Sequence, residues 1–493
     1  MSTRWSLRRS LRWAVVMNWG QRGIGAGFTY VLAAILGPRE FGLVVLGLAF
    51  VELAQVFVEQ GISTAIVQRR KLEGDHLDSA FWLSLAWGLV LAGGTVALSG
   101  WWAAANDAPE LRNVVVALSA LLVIWALMTV QMSLLQREGR FKELAICWNI
   151  GALAGGVCGL ALALAGAGVW AFVAQQIVMD AVALVAMWAA ARWAPRARFS
   201  RAHARELLGF SVNVFAANLG GFATRRSDTL LMGLFFGPAA VGLYRIADRL
   251  VELVLELTMR PVGFLALPFF SRYQDDPASL RATVEKCLRL ALLITMPALL
   301  VVAATSEYVL AVLGDEWLLA ADVLALLCVV GIVKGLVFFT GPLLFALGKP
   351  FLRAVILWTL GVLSAAAVVG VGLALEDAAV VDQIDGMAAS RALVFLAAVL
   401  PVNVAILVRF GGVRLRTLAS ALPAVASGLG AFAVVAALGA AGVLDGLSPL
   451  PALVVAAGAA SAVALAPVIL FEPEARSWLR ALRDRGGRNP GPG

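Results

Sequence analysis

The sequence has little histidine, cysteine or charge for its length. Of 493 residues, only two are histidine and four are cysteine, and 14% are charged. Neither histidine has a partner in sequence that suggests catalysis, and the cysteines lack the spacing of metal ligands. With 61% hydrophobic residues and a mean hydropathy of +0.89, the chain is more apolar than a soluble core requires. These properties exclude an ordinary soluble domain and predict an integral membrane protein.

Long apolar runs are abundant instead. A helix needs about 20 mostly apolar residues to cross a bilayer, and fourteen runs meet this requirement. The sequence therefore predicts an all-α polytopic membrane protein with about 14 transmembrane helices. The predicted spans are residues 13–36, 41–61, 79–103, 112–135, 144–165, 168–191, 208–236, 239–262, 288–306, 320–346, 351–374, 387–408, 417–443 and 449–471.

Basic residues are confined to alternate loops. The loops on the side opposite the N-terminus hold only Arg39 and Arg112 as basic residues, and they carry acids such as Glu307 and Asp315. By the positive-inside rule, both termini are predicted to be cytoplasmic. The net charge of +8 then reflects this loop bias, and no nucleic-acid partner is expected.

A repeat organises the chain. Residues 36–43 (LGPREFGL) return 200 positions later as residues 236–243 (FGPAAVGL). In each copy, Gly is predicted to close one helix and Pro to open the next. Because each half has an even number of spans, the halves are predicted to be parallel repeats. The predicted domains are a basic interfacial N-terminus (1–12), two six-helix bundles (13–206 and 207–410), two additional transmembrane helices (411–471) and a basic cytoplasmic tail (472–493).

Ionisable residues within the spans indicate where a site lies. Each costs at least about 2.5–3.5 kcal/mol near the bilayer centre. Helical spacing collects them on one face of spans one, two, seven and eight, and these faces are expected to meet in a water-filled passage. Its arginines would bind an anionic group such as phosphate. The candidate substrate-binding residues are Asn18, Arg22, Asn218, Arg225, Arg226, Arg245, Arg249 and Lys334, and the candidate ion-coupling residues are Glu52, Asp228 and Glu252.

A second interpretation of these charges is structural. Carboxylates at helical spacing, such as Glu252 after Arg249, would neutralise the arginines and hold them in place. For Glu52 and Glu252 the sequence leaves this role open beside proton uptake. No catalytic residue, metal ligand or cofactor is expected.

Several motifs resemble those of a known family. Residues 30–44 (YVLAAILGPREFGLV), 237–247 (GPAAVGLYRIA) and 314–317 (GDEW) resemble signatures of the Wzx-type polysaccharide flippases, a branch of the multidrug/oligosaccharidyl-lipid/polysaccharide (MOP) exporter superfamily. The resemblance covers about residues 10–410 and is closest to the colanic-acid-exporter-like subgroup. It implies two six-helix bundles around a cavity lined by spans one, two, seven and eight.

The resemblance also implies a function. A protein of this kind flips undecaprenyl-pyrophosphate-linked oligosaccharide from the cytoplasmic to the periplasmic leaflet of the bacterial inner membrane. Its expected partners are a polysaccharide polymerase and a chain-length regulator. Two other classes stay open: a cation-coupled multidrug antiporter of the same superfamily would need an acidic cavity, and a membrane polysaccharide polymerase or ligase would need catalytic groups on larger outer loops.

Overall fold

The computed structural model describes residues 2–59, 62–68, 74–414, 416–417, 422–444 and 446–471. Over these residues the chain forms helices and no strand. In a bilayer, a helix satisfies its own backbone N–H and C=O groups, which accounts for this choice. The helices are α1 (Ser2–Glu59), α2 (Ile62–Gln68), α3 (Gly74–Ala105), α4 (Glu110–Leu118), α5 (Ala120–Arg137), α6 (Phe141–Leu164), α7 (Val169–Ala191), α8 (Arg201–Arg272), α9 (Pro277–Ala304), α10 (Ser306–Ala311), α11 (Ala321–Val337), α12 (Thr340–Ala346), α13 (Pro350–Ala374), α14 (Val380–Val394), α15 (Leu400–Gly411), α16 (Leu422–Ala440) and α17 (Pro449–Phe471).

The predicted spans coincide with these helices. In the described part of the chain, 10 helical stretches are long and apolar enough to cross a membrane. Two of them, Gly23–Phe57 and Arg226–Met259, each overlap two predicted spans separated by a kink. Two shorter apolar helices, Ala426–Ala440 and Pro449–Ala464, lie at the last two predicted spans. The all-α, multi-pass fold is confirmed, whereas the count of 14 stays a prediction. The predicted tail, residues 472–493, lies outside the described residues.

Both kinks lie at the repeated Gly-Pro pair. Gly37 has φ 81° and ψ 173°, and Gly237 has φ 73° and ψ −177°. A side chain is disfavoured at these positive φ values, so glycine ends the helical segment before each kink. The segments before and after the kink are here called the first and second limbs of α1 and α8. The following prolines, Pro38 and Pro238, have no N–H to leave unpaired at the start of the second limb. The prediction that Gly closes one helix and Pro opens the next is therefore confirmed at both copies.

The chain divides into two compact units. The first comprises residues 1–245 and 357–383, and the second comprises residues 246–356 and 384–493. The first boundary thus falls inside α8, after residue 245, rather than at the predicted domain boundary after residue 206. The predicted halves follow the sequence repeat, whereas these units follow packing, and the predicted division stays a prediction.

In the first unit, the two Gly-Pro elbows touch. A Cβ atom on Gly42 would overlap the carbonyl group of Pro238, and a Cβ atom on Gly242 would overlap the carbonyl group of Pro38. The position of the Gly42 Cβ would also be 3.0 Å from the backbone nitrogen of Gly242. Equivalent residues of the two repeats therefore meet backbone to backbone.

Another close approach in the first unit joins α6 to α7. Gly151, Gly155 and Gly159 recur every fourth residue of α6 and are buried against α7. A Cβ atom on Gly159 would be 3.0 Å from the carbonyl oxygen of Ala171 and 2.8 Å from Cβ of Gln175. Small residues at this spacing let membrane helices approach closely, so van der Waals packing holds the pair together.

The second unit has an aromatic and aliphatic core. The rings of Phe270 and Phe339 are fully buried and meet edge to face with centroids 6.3 Å apart. Leu343 and Leu280 are buried in the same cluster. The C-terminal helices α16 and α17 pack through smaller side chains, because their buried residues are mostly alanines such as Ala456.

Candidate functional site: charged residues within the spans

The predicted site residues fall into two groups. Arg226, Asp228, Arg245 and Glu52 belong to the first unit, and Arg249, Glu252 and Lys334 belong to the second. Four further side chains lie outside the described part of the chain, so their roles stay predictions. These are Asn18, Arg22, Asn218 and Arg225.

Arg226 and Glu52 form a two-bond ion pair in the first unit. Nε and Nη2 of Arg226 donate to the two carboxylate oxygens of Glu52 at 2.7 and 2.9 Å. Glu52 comes from the second limb of α1 and Arg226 from the first limb of α8, so the pair joins predicted spans two and seven. The side chains are 26% and 27% exposed. Because two parallel bonds fix the guanidinium plane, Glu52 orients Arg226.

Two other predicted residues of the first unit have different surroundings. The Asp228 carboxylate accepts a hydrogen bond from the backbone N–H of Thr229 at 2.8 Å. Arg245 is only 6% exposed, so protein encloses most of this residue. A buried guanidinium needs partners for its five N–H groups, which makes Arg245 part of a fixed polar arrangement rather than a mobile surface charge.

A three-charge cluster lies in the second unit. Nζ of Lys334 on α11 and Nη1 of Arg391 on α14 lie 3.8 and 3.6 Å from Oδ1 of Asp248 on α8. The Asp248 side chain is 2% exposed, against 25% for Lys334 and 15% for Arg391. The guanidinium of Arg391 also lies 6.0 Å from the centroid of the Phe395 ring. Two cations therefore lie against one buried carboxylate.

Sequence reasoning missed two members of this cluster as site residues. It selected Lys334 but neither Arg391 nor Asp248. A charged side chain in an apolar helix needs a partner within the membrane. This need was the signal in the sequence that Arg391 and Asp248 could belong to a charged cluster. The partner's identity depends on how α8, α11 and α14 pack, since these residues are far apart in sequence.

Arg249 and Glu252 form a weaker pair. Nη1 of Arg249 lies 3.9 Å from Oε2 of Glu252, and the side chains are 36% and 34% exposed. A pair this exposed contributes little to stability. Among the described residues, no group of three or more His, Cys, Asp or Glu side chains is arranged to hold a metal ion.

Comparisons with known proteins place the chain in a family. The model of the "Polysaccharide biosynthesis protein" family matches residues 31–322. The chain is 28% identical to the succinoglycan biosynthesis transport protein ExoT of Rhizobium meliloti (strain 1021) over 65% of each chain. It is 26% identical to the lipopolysaccharide biosynthesis protein WzxC of Escherichia coli (strain K12), over 70% of this chain and 71% of WzxC. The match thus spans slightly less than two thirds of ExoT.

Solved structures share the fold. The lipid II flippase MurJ in an inward closed conformation matches with a TM-score of 0.75, covering 95% of this chain and 99% of MurJ at 14% identity. An inward-facing multidrug resistance transporter of the MATE family, in the MOP superfamily, matches with a TM-score of 0.57, covering 80% of this chain and 98% of that one at 14% identity. The resemblance expected from the Gly-Pro motifs is therefore confirmed. The chain belongs to the polysaccharide biosynthesis protein family and is a multi-pass membrane protein with the fold of the MOP-superfamily transporters.

Proposed function

We propose that this protein is a flippase that moves undecaprenyl-pyrophosphate-linked oligosaccharide from the cytoplasmic to the periplasmic leaflet of the bacterial inner membrane. Both termini lie in the cytoplasm, and a polysaccharide polymerase and a chain-length regulator act on the product. Three findings support this assignment: the family of the chain, its similarity to the transport protein ExoT, and the fold that it shares with MurJ.

The three-charge cluster of the second unit is the observation that carries the proposal. Lys334 and Arg391 share a single carboxylate, so an anionic group can join them without leaving Asp248 unpaired. Ammonium and guanidinium groups are the usual protein donors to phosphate oxygens. A pyrophosphate would bring negative charge to these two cations within the membrane, where charge pairing is favoured. This favours an anionic substrate over an organic cation.

The ion pair of the first unit offers a separate cation, Arg226. Glu52 holds Arg226 in a fixed plane, and a phosphate can replace the carboxylate as the acceptor. Proton uptake by Glu52 would release Arg226 in the same way, which would link substrate binding to a proton gradient. Asp228 and Glu252 are the other carboxylates proposed for ion coupling.

Transport proceeds by alternating access. The sugar and pyrophosphate cross through the protein while the prenyl chain stays in lipid. Moving one net negative charge outward is assisted by about 2.3 kcal/mol per 100 mV of membrane potential.

The test is a flipping assay in proteoliposomes with undecaprenyl-pyrophosphate-linked oligosaccharide. Lys334→Gln and Arg391→Gln each remove one charged contact worth about 1.5–3 kcal/mol, so transport should fall about 10- to 100-fold. Lys349→Gln is the matched control, because this exposed lysine lies beside Phe410 and outside the cluster. Wild-type rates in both cluster variants would overturn the anion site.

Two further measurements separate the alternatives. Transport of an organic cation in place of the lipid-linked sugar would indicate a multidrug antiporter instead. For coupling, Glu52→Gln should abolish the response of transport to an imposed pH gradient, and an unchanged response would exclude Glu52 from that role.

A further inference from the structure

The connection between α7 and α8 is held against the start of α3. This connection and the first residue of α8, together residues 192–201, are here named the arginine strap. The backbone N–H of Arg196 donates to Oδ1 of Asp78 at 2.9 Å, and Nε1 of Trp82 donates to the Arg196 carbonyl oxygen at 2.8 Å. Four residues further on, the backbone N–H of Ser200 donates to Oγ of Ser79 at 3.0 Å. The strap is therefore fixed through its backbone at two points.

Two of the residues that hold the strap are buried. Asp78 is 2% exposed and Ser79 is fully buried. A buried carboxylate without a hydrogen-bond donor would be costly, so lifting the strap would remove the N–H that Asp78 uses. The strap is consequently part of the folded unit, and the position of its side chains is set in advance.

Among the described residues, the strap's charges are only weakly compensated. The arginines of the strap, Arg192, Arg196, Arg198 and Arg201, are all exposed. In the described part of the chain, the one ion pair they make is a long contact of 4.0 Å between Arg198 and Asp75. By contrast, the neighbouring Arg140 is paired with Glu138 at 3.0 Å and with Glu143 at 3.3 Å. The fold thus neutralises Arg140 and leaves the strap positive.

Exposed aromatic rings lie beside these arginines. Phe199 of the strap is 53% exposed, and Trp82, which donates to the strap, is 38% exposed. The ring of Trp193 packs against Phe81 with centroids 6.1 Å apart, which anchors the strap to α3. Trp and Phe beside arginine at the ends of spanning helices are typical of the bilayer interface, where rings meet acyl chains and cations meet headgroups.

We propose that the arginine strap is a binding site for anionic phospholipid, with Arg196 and Arg198 contacting the headgroup phosphate and Phe199 and Trp82 contacting the upper part of the acyl chains. Charge complementarity selects the lipid: the strap carries four arginines, and Asp75 is the acid in contact with it. This site is separate from the charged cluster within the spans and does not depend on the transported substrate.

The test measures lipid binding to the purified full-length chain by native mass spectrometry, with phosphatidylglycerol and phosphatidylcholine as probes. The wild-type chain should bind phosphatidylglycerol more tightly. Each arginine near an anionic headgroup contributes about fivefold in affinity, so Arg196→Gln combined with Arg198→Gln should weaken phosphatidylglycerol binding about 30-fold. Binding of phosphatidylcholine should not change.

Two paired variants make the result specific to the strap. The matched control is Arg409→Gln with Arg416→Gln, which removes the same charge from exposed arginines of the second unit and should leave binding within about twofold. Arg196→Lys with Arg198→Lys keeps the charge and should retain most of the affinity. Thermal unfolding confirms that each variant is folded.

Three results would overturn the proposal. One is wild-type affinity for phosphatidylglycerol in the glutamine double variant of the strap. Another is an equal loss in the control pair, which would show a diffuse charge effect. A third is competition by soluble glycerophosphoglycerol as effective as that by phosphatidylglycerol, which would indicate a site for a free phosphodiester rather than a lipid.

Discussion

The contact between the two Gly-Pro elbows predicts that Gly42→Ala destabilises the protein. A Cβ atom at this position would overlap the Pro238 carbonyl group, which belongs to the backbone. No side-chain rotation can relieve such an overlap, so the second limbs of α1 and α8 must separate. The same reasoning applies to Gly242→Ala, where the overlap is with the carbonyl group of Pro38.

The magnitude follows from two opposing effects. Overpacking a close contact costs about 1–3 kcal/mol, whereas alanine is favoured over glycine in a helix by about 1 kcal/mol. Ordinary carbon–oxygen contacts are about 3.3–3.6 Å long, and the overlap falls well inside that distance, so the upper end of the packing cost applies. The net destabilisation of Gly42→Ala is about 2 kcal/mol, which corresponds to a fall in Tm of roughly 2 °C if the whole chain unfolds together and roughly 4 °C if the first unit unfolds alone.

Thermal unfolding of the purified protein measures this change. Gly93→Ala is the matched control, because Gly93 also lies inside an apolar helix but has nothing within 4 Å of its Cβ position. That variant should be as stable as the wild type or slightly more stable. The Gly42→Ala/Gly242→Ala double variant should lose less than the sum of the single losses, because both substitutions separate the same two limbs.

One outcome would refute the reasoning directly. If Gly42→Ala and Gly93→Ala had the same Tm, the limbs of α1 and α8 would not be in backbone contact. Strict additivity in the double variant would show that Gly42 and Gly242 act at separate places.

Three further predictions concern polar contacts. Glu52→Gln removes the charged acceptor of Arg226 and should cost about 1.5–3 kcal/mol of stability, measured by thermal unfolding; an unchanged Tm would contradict the two-bond pair. Thr340→Val removes the hydroxyl that lies 2.8 Å from Oδ1 of the buried Asn403 and should cost about 1–3 kcal/mol, whereas Thr340→Ser should preserve stability. Hydrogen bonds from the side chain and backbone of Ser279, and from the backbone of Ala278, lower the pKa of Asp276 at the start of α9. Because the pKa is lowered, these hydrogen bonds stabilise the folded protein fully above the unfolded pKa of about 3.9, and their stabilisation is lost as pH falls through the folded pKa. Asp276→Asn should therefore flatten the dependence of the free energy of unfolding on pH in that acidic range.

The helical elements were largely predictable because their causes are local. Gly37 and Gly237 precede prolines between apolar runs, and that pattern alone predicts an end and a new start of helix. Apolar runs of sufficient length predicted the spans for a similar reason, since a bilayer permits few other structures. The boundary between the compact units, after residue 245 and inside α8, was not visible in the sequence, because compact units are defined by packing between distant segments.

The candidate site was only partly predictable. The pattern of charges within apolar spans selected Glu52, Arg226 and Lys334, because a charged residue there stands out against its neighbours. It did not pair Glu52 with Arg226, which are 174 residues apart. Nor did it assign Arg391 to the cluster around Asp248, because Asp248 and Lys334 lie on other helices.

The sequence by itself determined that this chain is a bundle of membrane-spanning helices, that it is built on a repeat, and which of its residues carry charge into the membrane. Hydropathy, proline and glycine act within a few residues, so these properties can be read along the chain. Tertiary structure alone decided that the two Gly-Pro elbows touch, that one carboxylate lies against two cations, and that the arginine strap lies against α3 with exposed arginines that make one long ion pair among the described residues. Each of these depends on which distant helices pack together, and that choice is made by side-chain complementarity across the folded units rather than by any local pattern.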